Sequence, residues 1–102
     1  GHGDQRVPRV EQLLARVPGV VVTPHADGVG FTVRVRGVRF TGGDPLWVVD
    51  GVPLIGATGP TAVAFLVPSD VERIDVLKDA GAAIYGSHGA NGVILVRTRR
   101  SR

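Results

Sequence analysis

"DPLWVVDGVP" occupies residues 44–53, an alternating apolar run held between two turn signals. Alternation places Trp47 and Val49 on one face of a strand and Val48 on the other. Asp50-Gly51 follows at once, a dipeptide suited to a tight hairpin corner, and a second short apolar run ends at Pro53. Asp50 is read as shaping the corner and Gly51 as supplying its permissive backbone.

The segments on either side share this style. "FTVRVRG" (31–37) alternates cleanly, with Phe31, Val33 and Val35 facing one way and Thr32, Arg34 and Arg36 the other. "VVVT" (20–23) reads as a buried strand, joined to it by the turn cluster "PHADGVG" (24–30) with Asp27-Gly28 as a tight hairpin. Before them, "RVEQLLARV" (9–17) sets Val10, Leu13, Leu14 and Val17 at helical spacing, and Pro18-Gly19 ends the helix. "TGGDP" (41–45) is a further turn, and "GATGPTAVA" (56–64) reads as a loop with one helical turn.

Downstream, "PSDVERI" (68–74) starts with a short helical turn that Ser69 or Asp70 would cap. "RIDVLK" (73–78) is a strand with Ile74 and Val76 on one face. "DAGAAIYG" (79–86) reads as a short helix with Asp79 as N-cap and Gly86 as its stop. "SHGANG" (87–92), with Gly89, Asn91 and Gly92, is a compact turn leading into the hydrophobic strand "VILVRT" (93–98). The fold class is α+β: a small mixed β-sheet of about four strands, short helices and glycine-rich loops.

Composition agrees. The 102 residues suit one domain, and 19 valines favour sheet over a helix bundle. Residues 9–99 form the expected domain, with 1–8 as a tag remnant or flexible lead and 100–102 as a basic tail. The chain has no Met, so it is read as processed or cut from a longer protein. Without Cys there is neither a disulfide nor a thiolate metal site. No apolar stretch approaches the ~20 residues of a membrane-spanning helix. The strands are also too few and too short for a membrane barrel of at least ~8 strands of ~9–11 residues, so the piece reads as soluble.

Candidate chemistry is sparse. The net charge of +3 lies largely in the tail, and no aromatic is interleaved with the basic residues, so nucleic-acid binding is not supported. His2, His25 and His88 share no metal-ligand spacing. Asp44, Asp50, Glu72, Asp75 and Asp79 are candidate acid–base groups, but turn and cap roles account for three of them. Ser69, Ser87 and Ser101 lack a nucleophile-elbow context. "GSHGANG" enters a strand without the Lys and Ser/Thr of a phosphate loop. No cofactor, metal or catalytic residue is expected. Arg34 and Arg36 on one strand face, joined by Lys78 at the end of another, meet either water or an acidic partner.

"VRVRG", "DPLWVVDGVPL" and "VERIDVLKDAGAAIYGSHGANGVILVRT", in that order, resemble the plug domain of TonB-dependent outer-membrane receptors, most of all the SusC-like nutrient transporters. "LLARVPGV" is similar to the opening helix and turn of that family, and the resemblance covers about residues 9–99. It implies a non-catalytic, periplasmically oriented domain that occludes the lumen of an outer-membrane β-barrel until TonB pulls on a segment ahead of it. The implied partners are the cognate barrel, TonB and an unidentified nutrient. In the family, the arginine of the Arg-Gly strand and a basic residue after the "Ile-Glu-Val-Leu" strand face acidic barrel residues; the matching positions are Arg36 and Lys78. Asp75 stands where the family usually has Glu, and Arg34 completes the set of partner-facing charges. Such pairing sets register and permits release more than it adds stability, because desolvation offsets most of the attraction.

The 102 residues contain no barrel, and no TonB-binding segment is recognisable ahead of residue 9. Two readings stay open: a domain excised from a receptor, or a free-standing plug-like periplasmic module. The second would bind protein or carbohydrate through exposed aromatics, Trp47 or Tyr85.

Overall fold

The computed structural model describes residues 9–38 and 42–99. The lead 1–8 with His2, Thr41 of the second turn, and the tail 100–102 with Ser101 lie outside the described residues. In chain order the elements are α1 (Val10–Ala15), β1 (Val20–Pro24), β2 (Phe31–Val35), β3 (Leu46–Val49), β4 (Val52–Leu54), α2 (Gly59–Val63), β5 (Val71–Leu77) and β6 (Val93–Thr98). Short 3-10 segments at Pro68–Asp70 and Asp79–Gly89 flank β5.

α1 starts where the Gln12 side chain reaches back to accept the Arg9 N–H at 2.8 Å, and it buries Val10 and Leu14. β1 and β2 form an antiparallel hairpin with Val20 opposite Val35 and Pro24 opposite Phe31. At its tip the Asp27 carboxylate accepts the Val29 and Gly30 N–H groups at 2.8 and 3.1 Å.

The remaining strands make a mixed sheet in the order β4-β3-β6-β5. β3 runs parallel to β6 with Trp47 opposite Ile94, while β4 and β5 flank them antiparallel. Four strands in one mixed sheet are as the sequence leads one to expect; the β1–β2 hairpin is a second, separate sheet that packs by side chains. Pro53 sits in β4, an edge strand, where its missing N–H removes no central ladder bond.

The sheet has two apolar faces. On one, Trp47, Ile94 and Val96 pack with Val33 and Val35 of the hairpin, Val10 and Leu14 of α1, and Ala62 of α2. On the other, Leu46, Val48 and Val93 pack with Ala82, and Leu77, Tyr85 and Leu95 join them. The split of Trp47 and Val49 from Val48 is therefore real, as is the pairing of Ile74 with Val76 on the main-core side.

Three local expectations fail. Neither Ser69 nor Asp70 caps the turn after Pro68; its N-cap is Val67, with no side-chain hydrogen bond, and Pro68 fills the first position. Asp79 is not an N-cap either. It is the first residue of the 3-10 segment, with φ of 53°, and Lys78 takes the cap position. The segment is a 3-10 run through Gly89 rather than an α-helix, broken at Gly86, where φ is 59° and ψ is −142°. Gly86 does stop the first stretch, but "SHGANG" carries the 3-10 turns onward before the final turn. Positive φ at Asp79 and Gly86 interrupts the right-handed backbone at both ends of residues 80–85.

Candidate functional site

Asp50 and Gly51 have φ of 51° and 84°, the pair of positive angles that a type I′ hairpin turn requires. Gly51 adopts this without strain, and aspartate is one of the few side-chain-bearing residues that enter this region readily. What further holds Asp50 there lies 48 residues away. The Asp50 carboxylate accepts the Thr98 N–H at 2.7 Å and the Thr98 hydroxyl at 2.6 Å, while its own N–H donates to the Val96 carbonyl at 2.8 Å. Asp50 thus shapes the corner and also ties it to the end of β6. Thr98 was missed by sequence reasoning, since no local pattern links positions so far apart.

The four charges singled out as partner-facing divide into two kinds. Arg34, on β2, donates to the Asp44 carboxylate at 2.8 Å and to the Val33 carbonyl at 3.0 Å. Asp75, on β5, accepts from Arg73 at 2.7 Å. Both are neutralised within the domain. Arg36 lies just past the end of β2, and its N–H donates to the Gly19 carbonyl at 2.8 Å, so the hairpin ladder outlasts the strand by one rung. Lys78 follows β5, and its ammonium lies against the Arg36–Gly37 turn; a methyl group at Gly37 would sit 2.7 Å from Nζ. Both cations are exposed, and neither has an ion-pair partner among the described residues. Gly37, the seat of Lys78, is a second residue the sequence did not single out.

The glycine-rich loop is a packing seam. A methyl at Gly92 would lie 2.8 Å from Val35, and one at Gly43 would lie 2.7 Å from the Asn91 side chain. Gly89 closes on the Ala82 carbonyl at a similar 2.7 Å. These close approaches let the hairpin and the loop before β3 seat on the start of β6.

On the sheet face opposite the main core, Asp75, Arg73 and Arg97 border a groove of about 670 Å³ floored by Val48, Tyr85 and Leu95. Trp47 is fully buried, so it is not an exposed contact for protein or carbohydrate. Tyr85 is half-buried against the second apolar cluster. His25 is engaged by the Thr32 hydroxyl at 2.7 Å, and His88 borders a small cavity with Asp44. No group of three or more His, Cys, Asp or Glu side chains suited to a metal occurs among the described residues. No helix among them is long and apolar enough to cross a membrane.

The domain is thus a hairpin and two short helices laid on a mixed sheet, with the Arg-Gly turn beside a lysine at the end of β5. The chain belongs to the TonB-dependent receptor plug domain family, whose model matches residues 2–93. It is 43% identical over 99 residues to TonB-dependent receptor P26 of Formosa agariphila, covering 91% of this chain and 10% of that protein. Against TonB-dependent receptor SusC of Bacteroides thetaiotaomicron it is 36% identical, covering 90% of this chain and 10% of that one. Among solved structures, a chain of the RagAB peptide importer in its open-open state superposes with a TM-score of 0.64 at 34% identity, over 88% of this chain and 10% of that one. The chain therefore spans about a tenth of the length of these relatives.

Proposed function

We propose that this domain is the lumen-occluding gate of an outer-membrane nutrient transporter, lodged on the periplasmic side of a β-barrel and released through TonB. It performs no catalysis, and its partners are the barrel wall, TonB and the transported nutrient. The observation that carries the reading is the pair Arg36 and Lys78. Two like charges share one exposed corner without a carboxylate among the described residues, while Arg34 and Arg73 each have one. In water such a pair costs little, but against a barrel wall it requires acidic partners. Arg34 and Asp75 act within the domain, so the docking contact falls to Arg36 and Lys78.

Charge reversal tests this. Arg36→Glu and Lys78→Glu leave the thermal stability of the domain within about 0.5 kcal/mol, as expected for exposed positions. The same changes in a receptor carrying this domain leave its barrel leaky to a large antibiotic. Acid-to-base changes at the facing barrel positions restore closure. A large stability loss in the isolated domain would mean that these cations are satisfied internally and would remove the basis for the proposal.

A further inference from the structure

We propose that the parallel β3–β6 pair is a shear clamp that resists tension between the two ends of the chain, and that Asp50 is the positioning residue that closes it. The topology sets the load path. Tension from the upstream side enters β3 at Leu46, and tension from the downstream side enters β6 at Thr98. Because the strands are parallel, these points lie at opposite ends of the pair. The strands are therefore drawn past one another along their length, and the ladder bonds between them share the load instead of opening in sequence.

The ends of this ladder are both secured. The Leu46 N–H donates to the Gly92 carbonyl at 2.9 Å, and the Asp50 N–H to the Val96 carbonyl at 2.8 Å. β3 stops at Val49, yet β6 continues to Thr98. The Asp50 carboxylate bridges this overhang with two charge-assisted bonds of 2.7 and 2.6 Å to Thr98. On the other side of β6, the Arg99 N–H donates to the Asp70 carbonyl at 2.9 Å and its guanidinium to the Ser69 carbonyl at 3.1 Å. The exit of β6 is held from both neighbours, which is what a strand under axial tension requires. A turn alone would be served as well by Asn-Gly; the carboxylate is suited to accepting both Thr98 donors at once. The use of the clamp in transport rests on the plug reading, but its mechanical resistance does not.

The test is single-molecule force spectroscopy on the full 102-residue chain, with handles at its two ends. Asp50→Asn keeps a residue that tolerates positive φ, and Thr98→Val removes only the hydroxyl, so both variants retain the turn. The step that separates β3 from β6 is expected to run about tenfold faster in Asp50→Asn at the same load, the change expected from one charge-assisted hydrogen bond. Thr98→Val is expected to show a smaller acceleration in the same step. Leu14→Ala cuts into the core cluster shared with Trp47, Ile94 and Val96 but removes neither a ladder bond nor an Asp50–Thr98 bond. It is expected to lower equilibrium stability and to accelerate that step far less than Asp50→Asn does. If Leu14→Ala accelerates it as much as Asp50→Asn does, or if Asp50→Asn leaves it unchanged, the clamp is overturned. Either result leaves the docking prediction for Arg36 and Lys78 standing, and failure of docking leaves the clamp standing.

Discussion

Gly37 and Asp27 show how single residues set the charged features. Gly37 has φ of 77°, and the Lys78 ammonium lies over it. Gly37→Ala is expected to cost about 1–2 kcal/mol, mostly from backbone strain, because the lysine tip can swing aside. Denaturant unfolding measures the cost; a neutral result would mean that the turn relaxes out of the left-handed region. The Asp27 carboxyl is held below its usual range, chiefly by the Val29 N–H and then by the Gly30 N–H. A lowered folded-state pKa means that the contribution of this hairpin tip is present above the unfolded value of ~3.9 and is lost as pH falls through the folded one. An NMR titration of Asp27 is expected to give a midpoint below ~3.9, and one at or above that value would contradict the assignment. Trp47 carries a different tension, since its indole N–H is buried with no hydrogen-bond partner among the described residues. Trp47→Phe removes that orphan donor at the expense of some volume. Its cost should therefore fall well below the ~3–5 kcal/mol typical of truncating a buried aromatic to alanine.

Among the elements, the seam between hairpin and sheet is the most demanding contact. Gly92 combines φ of 91° with a 2.8 Å approach to Val35, so Gly92→Ala meets backbone strain and a clash together. A loss of roughly 2–5 kcal/mol is expected by thermal or denaturant unfolding, well above that of Gly37→Ala, where only the backbone resists. The strands were legible from sequence because alternation at Phe31–Val35 and Trp47–Val49 reports burial directly. That the hairpin forms its own two-stranded sheet among the described residues was not legible, since strand neighbours are chosen by contacts distant in sequence. Asp79 ahead of an alanine run imitates a helix start, but its φ of 53° is not the extended conformation of an N-cap, a position that Lys78 takes instead. Of the glycines in "GSHGANG", Gly89 and Gly92 are closely packed, by Ala82 and Val35, whereas Gly86 has open space and a positive φ. Of the charge set, sequence brought Arg36 and Lys78 to notice together. It did not anticipate the Arg34–Asp44 and Arg73–Asp75 pairs, because each partner fills a position that reads equally well as solvated.

At the scale of the molecule, the domain presents an unusual surface for something so small. Phe65 and Ile84 are 74% and 80% exposed, and the Arg36–Lys78 corner is charged without a partner among the described residues. A domain enclosed by a larger protein has such a surface, and the chain matches about a tenth of each receptor it resembles. Occlusion is the central claim, and conductance tests it most directly. The barrel of a SusC-type receptor is reconstituted in planar bilayers with its plug deleted, and again with this domain restored in its place. The account predicts a large steady conductance for the empty barrel, near-complete closure with the domain, and reopening when Arg36 and Lys78 are both changed to Glu. A barrel that conducts equally with and without the domain would contradict it.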